Sequence, residues 1–396
     1  MTGTDLSSAA ARAALRGSPG ARGAGEDEDA ARDRFARGIW SALAEPGDGT
    51  GGALRDRWGA AEALAIAVLT DGREAEAAEA GVEPASLKKA RERWHPRVEG
   101  VGETFAAARR AGAVLLTPAD PQWPAGFDDL GPHAPVALWT LGAPERPLTP
   151  GSAVALVGAR AATAYGEHVA MELAAELGAT GTTIVSGAAY GVDGSAHRAA
   201  LRVDGLTVAL LAGGVDRPYP AGHSDLLDRI ARTGVVASEV PCGSTPTKWR
   251  FLARNRLIAA AAQATVVVEA GWRSGSLNTA HHAASLGRPL GAVPGPITSA
   301  ASAGCHRLLR EADAQCITAA DDVRELLGLP VTMSADDGGR TDDRTRVVDA
   351  LGVRVARSAE EVARRAGLSA GDAAALLGLL ELEGRASRGV DGWRRC

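Results

Sequence analysis

At 396 residues and 45% hydrophobic content, the chain has enough apolar material for about two or three domains. A formal net charge of −5 excludes a globally basic coat for nucleic acid, so any polyanion must bind a local patch. The four cysteines (Cys242, Cys305, Cys316, Cys396) form no C-x-x-C pair, which argues against a zinc site or a disulfide framework. No apolar run approaches transmembrane length, and the start lacks the apolar core of a signal peptide. The expectation is a reduced, cytoplasmic protein without a metal centre.

In chain order, residues 1–34 are rich in Ala, Gly, Arg and acids, and read as a disordered tail. Residues 35–111 carry helical periodicity through Ile39, Trp40, Leu43, Leu54, Trp58 and Leu64, with further helices over 85–95 and 102–111. A small helical domain of sterile-alpha-motif or helix-hairpin-helix type fits this pattern, with Trp58 and Trp94 in its core. Two short strands over 113–117 and 136–141 follow at a sheet edge.

Across 112–330 strands and helices then alternate, which predicts an α/β, Rossmann-like doubly wound sheet. Strands are expected over 153–157, 183–186, 207–211, 235–238, 265–269 and 289–293, most ending in glycine or small polar residues. In a parallel sheet those loops share one rim, where ligands bind. Residues 331–343 have linker composition. Residues 344–396 read as a C-terminal winged helix whose second helix offers few base-reading side chains.

The candidate site gathers on that rim. Gly158 and Arg160 follow the first strand, and Ser186 and Gly187 close the second. No G-x-G-x-x-G spacing and no acid at the end of the second strand are present, so a dinucleotide cofactor is not expected. Lys248, Phe251, Arg254, Asn255 and Arg256 form a basic-aromatic segment, suited to phosphate contact and base stacking. Arg273, Ser274, Gly275 and Ser276 open a further helix, where an anion is welcome. Asp193 is expected to cap a helix, His197 to pack beneath the loops, and Glu239 and Glu269 to orient the arginines. Without a nucleophile–base pair or clustered carboxylates, the chain reads as one that holds rather than cuts.

The motifs Val157-Gly158-Ala159-Arg160, Ser186-Gly187 through Asp193 with His197, Gly213-Gly214 with Tyr219-Pro220, Phe251-Leu252-Ala253-Arg254-Asn255-Arg256 and Arg273 through Ala280 occur in one order. With them the chain resembles the DNA-processing protein A (DprA/Smf) family, densely over 113–330 and more loosely outside. The resemblance implies an extended Rossmann domain that binds single-stranded DNA without sequence preference as a homodimer. It also implies delivery of that strand to the RecA recombinase in natural transformation or recombination. Arg160 and Lys248 would hold phosphates and Phe251 would contact a base. Leu252, where many relatives have Pro, and Ala188-Ala189 depart from the family pattern. A Rossmann enzyme or sensor holding a nucleotide in the same crevice is the alternative. A winged-helix transcription factor is a third reading.

Overall fold

The computed structural model describes residues 28–69, 72–142, 147–330, 343–353 and 355–396. It divides into two compact units, Met1–Val331 and Thr332–Cys396. Among the described residues, no helix is long and apolar enough to cross a membrane. The expected linker falls outside these residues except for Asp343.

The first unit begins with helices α1 (Glu28–Leu43), α2 (Gly49–Leu64), α3 (Glu74–Glu79), α4 (Pro84–Trp94) and α5 (Val101–Ala111). Local chemistry sets their ends. Asp48 caps α2 by accepting from the Gly51 amide at 3.1 Å, Pro84 occupies the first turn of α4, and Gly112 closes α5 in the left-handed conformation. Trp40 and Trp94 meet edge to face at 5.0 Å in the core, as expected of Trp94, whereas Trp58 is half-buried.

The assignment of residues 1–34 to a tail needs correction at its end, because α1 starts at Glu28 and buries Ala31 and Arg34, while residues 1–27 lie outside the described residues. Arg34 donates to both carboxylate oxygens of Asp120, at 2.7 and 2.8 Å, and to the Leu115 carbonyl. Its partners lie far along the chain, so local composition hides the burial. Nor do the helices form a core of their own. Phe35, Ile39, Trp40 and Leu64 belong to one buried apolar cluster with Leu211, Val236 and Ile230 from the sheet side.

A nine-stranded sheet forms the centre of the unit. Its strands are β1 (Val114–Leu116), β2 (Leu138–Gly142), β3 (Ala153–Val157), β4 (Thr183–Ser186), β5 (Thr207–Leu211), β6 (Val235–Ser238), β7 (Ala264–Val267), β8 (Leu290–Ala292) and β9 (Gln315–Cys316). The order is β1-β2-β6-β5-β4-β3-β7-β8-β9. β1 and β2 are antiparallel additions at one edge, and β6 through β9 run parallel. Strands β3 to β7 are buried along their whole length, as a sheet covered on both faces requires.

The connecting helices are α6 (Ala164–Ala179), α7 (Val192–Arg202), α8 (Ser224–Thr233), α9 (Lys248–Ala261), α10 (Ser276–Ser285), α11 (Ala303–Glu311) and α12 (Ala320–Leu326). From β3 the chain winds through β4, β5 and β6 on one side. Helix α9 then carries it back across the sheet to β7 on the other side of β3. The strand order therefore reverses at β3, and a crevice opens at the carboxyl ends of β3 and β7.

The second unit contains α13 (Asp343–Ala350), α14 (Ala359–Ala366), α15 (Ala370–Leu382) and a hairpin of β10 (Ala386–Gly389) and β11 (Gly392–Arg395). Ser358 and Ser369 cap α14 and α15 by accepting from the amides of Glu361 and Asp372. This is a winged helix. Val347, Val362, Leu377, Leu380 and Trp393 form its core, while Leu379 and Leu382 of α15 stay exposed.

Candidate nucleic-acid interface

The crevice at the strand reversal has a volume of about 770 Å³. Its walls come from the turn after β3, the first turns of α9 and the loop between β7 and α10. In the first wall a Cβ at Gly158 would lie 2.5 Å from the Val192 side chain, so only glycine lets the turn pack on α7. Arg160, next but one, is exposed, and its guanidinium lies over the Phe251 ring at 4.6 Å.

The second wall is the start of α9. Thr247 caps it by accepting from the Arg250 amide at 3.2 Å. The first turn holds Lys248 and Arg250 and no acid, against the preference of a helix N-terminus for negative charge. Arg250 is compensated by Glu45, which accepts from its Nε and Nη2 at 2.9 Å each. Lys248 is exposed and has no carboxylate partner among the described residues. An anion in the crevice would supply the missing charge.

One turn further on, α9 passes beneath the rim and its polar side chains are buried. Arg254 donates to the carbonyls of Gly187, at 2.8 Å, and of Leu210. Burial pushes its pKa down to about 10, with the neighbouring Asp193 charge opposing the shift. It stays cationic beneath the crevice floor, 5.9 Å from the Phe251 ring. Asn255 donates to the Gly275 carbonyl (3.3 Å) and to Asn278 (3.2 Å), tying α9 to the third wall. In that wall Arg273 is exposed and the hydroxyls of Ser274 and Ser276 lie 2.8 Å apart.

Ten of the expected site residues line this space: Gly158, Arg160, Lys248, Phe251, Arg254, Asn255, Arg273, Ser274, Gly275 and Ser276. Ser186, Gly187 and Arg256 do not. Ser186 donates to the Leu156 carbonyl, and Gly187 packs under Arg254, where a Cβ would fall 2.1 Å from Nη1. Arg256 points away into a buried pair with Glu239, at 2.6 and 2.7 Å.

Glu239 thus orients an arginine as expected, but Glu269 does not. Its carboxylate accepts from the amide and hydroxyl of Thr163 at 2.8 and 2.7 Å, at the start of α6. Asp193 also departs from expectation. Gly191 holds the N-cap position of α7, and Asp193 instead accepts from the amides of Gly187 and Ala189. Burial raises its pKa, while Arg254 and those amides oppose the shift. His197 is fully buried against Thr207, with its pKa pushed down to about 3 by burial, and so packs below the loops.

The model of the DNA recombination-mediator protein A family matches residues 114–328, from β1 to the end of α12. The chain belongs to that family. The DprA winged helix domain matches residues 331–392. A putative DNA processing protein DprA of Mycobacterium tuberculosis is 48% identical over 314 residues, covering 75% of this chain and 80% of that protein. DNA processing protein DprA of Bacillus subtilis is 33% identical over 62% of this chain and 81% of its own length. The X-ray structure of DNA processing protein A from Streptococcus pneumoniae aligns with a TM-score of 0.60 at 29% identity, covering 74% of this chain and 97% of that one. DNA processing is thus the setting in which the crevice is to be understood.

Sequence reasoning missed two aromatic residues of the site. Tyr219 and Trp272 both line the crevice and are 47% and 58% exposed. The Tyr219 ring lies 5.5 Å from that of Phe251. Their signal was present in the sequence, since large aromatics in polar loops rarely lack a reason, but it emerges only once the strand ends are known.

Proposed function

We propose that the crevice binds single-stranded DNA without sequence preference, and that a dimer of this chain passes the strand to the RecA recombinase during transformation or recombination. The observation that carries the reading is the convergence of Arg160, Lys248 and Arg273, exposed and without carboxylate partners among the described residues, on one crevice. Cations beside aromatic faces are what a sequence-tolerant strand binder needs: phosphates meet the charges and bases meet the rings. Among the described residues, Asp193 is the single acid on the wall and is engaged by backbone amides, which favours holding over acid–base chemistry. The hand-off rests on membership of a family described as recombination mediators.

The crevice volume of about 770 Å³ would also admit a nucleotide. Binding of labelled oligo-dT and of a matching duplex at several salt concentrations separates the readings. The strand reading expects tight, salt-sensitive binding that prefers the single strand. Arg160→Ala and Lys248→Ala should each weaken it and reduce the log–log salt slope by about 0.7. Unchanged slopes in folded variants would reject those positions. Displacement of oligo-dT by micromolar mononucleotide would favour the sensor reading. RecA filament assembly on pre-bound strand, with and without this protein, tests the hand-off.

A further inference from the structure

A second cavity, of about 380 Å³, lies between the N-terminal helices α1 and α2 and the 118–135 segment. It shares no lining residue with the crevice. Arg37 of α1, Arg55 of α2 and Trp123 line it, with Pro118, Ala134 and Pro135 as an apolar wall. Arg37 and Arg55 precede the part of the chain that the family model matches.

Arg55 carries an uncompensated charge. Its side chain is half-buried and lies over the Trp40 ring at 5.3 Å, but among the described residues its guanidinium makes no hydrogen bond or ion pair. The Nη1 atom is buried. Gly51 makes room for it, since a Cβ there would fall 2.9 Å from Nη1. Burial pushes the Arg55 pKa down to about 10 and the Arg37 charge adds to the shift, against Glu239, Asp56 and Asp48. The group therefore stays cationic at neutral pH. Two of those acids are engaged elsewhere: Glu239 pairs with Arg256, and Asp48 caps α2 and pairs with Arg93. Asp56 is exposed, as is Asp128, which also lines the cavity.

The other donors point to the same need. Arg37 donates from Nε to Asp33 at 2.6 Å and from Nη1 to the Val136 carbonyl at 3.2 Å, which leaves its charge beside Arg55. Among the described residues, the Trp123 indole N–H is buried without a partner. A desolvated guanidinium is costly until an anion meets it. Water could satisfy single N–H groups, but it would not neutralise the charge. The exposed carboxylates of Asp56 and Asp128 would repel a polyanion, so the fitting ligand is small.

We infer that this cavity binds a small organic oxyanion, a phosphate monoester or a carboxylate. Arg55 and the Trp123 N–H take its oxygens, Arg37 supplies the second positive charge, and its body lies along Pro118, Ala134 and Pro135. The volume falls within the roughly 300–1,000 Å³ of small-ligand pockets. No crevice residue takes part, so the site stands independently of the single-strand reading.

The test titrates the full chain with phenyl phosphate, benzoate and, as the neutral control, benzyl alcohol. Calorimetry reads affinity, and NMR follows the Trp123 indole N–H, assigned through Trp123→Phe. Saturable binding of at least one anion, with a shifted Trp123 resonance and no binding of the alcohol, is expected. The anion preferred identifies the oxyanion class. Arg55→Met should abolish binding while the urea midpoint holds or rises, because an unpaired charge has gone. Trp123→Phe, which keeps a ring against Phe127, should weaken binding by roughly 10- to 150-fold, the worth of one hydrogen bond to a charged group. It decides the matter if Arg55→Met does not fold, and unchanged affinity would overturn the site. The Arg160→Ala/Lys248→Ala double variant should bind the anion like the unaltered chain. Binding lost there and kept in Arg55→Met would move the anion to the crevice and overturn the proposal. Failure of both anions to bind at millimolar concentration, or equal binding of benzyl alcohol, would overturn it too. Binding of oligo-dT, measured separately, is untouched by either failure.

Discussion

The buried pair of Arg256 and Glu239 separates a structural arginine from those proposed to bind phosphate. Both side chains are under 10% exposed and the guanidinium reaches both carboxylate oxygens, at 2.7 and 2.6 Å. Among the described residues, the Nε and Nη1 atoms of Arg256 are buried without a hydrogen-bond partner, so there Glu239 alone compensates the charge by hydrogen bonding. Glu239→Gln leaves a buried cation, a change that costs about 3–5 kcal/mol. At a urea m-value of about 3 kcal/mol/M, the midpoint should fall by about 1–1.7 M, read by tryptophan fluorescence. Adding Arg256→Met removes the stranded charge and should recover most of that loss. Because Arg256 lies off the crevice, the double variant should bind oligo-dT with the salt slope of the unaltered chain. A double variant no more stable than Glu239→Gln would refute the pairing argument. A slope lower by about 0.7 would put Arg256 on a phosphate after all.

Further expectations follow from other sites. Gly187→Ala drives a methyl to 2.1 Å from Arg254 Nη1; it should cost about 1–3 kcal/mol and disturb the crevice floor, read as a lower melting temperature together with weaker oligo-dT binding. Arg34→Met strands the Asp120 carboxylate, which the Arg34 guanidinium and Thr117 hold below its ordinary range despite burial; a stability loss of about 3 kcal/mol in urea is expected. His197 has its pKa pushed down to about 3, from 6.5, by burial. Below pH 6.5 the unfolded chain therefore takes up a proton that the folded chain refuses. Its contribution, complete above that pH, is lost towards pH 3 at about 1.4 kcal/mol per pH unit. His197→Leu should flatten the fall in urea midpoint between pH 6 and 4, and an unchanged slope would assign it to other groups.

The sheet was legible because β3, β4 and β5 are short apolar runs that stop at small residues, a pattern set by local chemistry. The segment around Arg254 and Arg256 was legible only in part. As a string it reads as a basic patch, yet α9 crosses beneath the sheet and sends Arg254 and Arg256 to different buried partners. No local pattern announces that Gly187, Leu210 and Glu239 will be waiting there. Arg34 escaped for the same reason: its partner Asp120 is 86 residues away. Glu269 and Asp193 were recognised as structural carboxylates, but their clients proved to be backbone amides rather than the arginines or their own helix start. The crevice aromatics were hidden by being spread one to a loop, which no single motif can show.

Glu45 lies in the turn between α1 and α2, and it accepts from Arg97 of the N-terminal region and from Arg250 of α9. A chimaera that grafts a foreign helical block onto this sheet must therefore bring a carboxylate to that spot, or Arg250 loses its counter-ion two residues from Lys248. A fragment trimmed to residues 114–328 would lose Glu45 and bare the apolar faces of Leu211, Leu226 and Ile230, which the N-terminal helices now cover. The helical block behaves as an inseparable part of the sheet-bearing unit, and protein engineering that treats it as an exchangeable accessory should yield sticky, poorly soluble products.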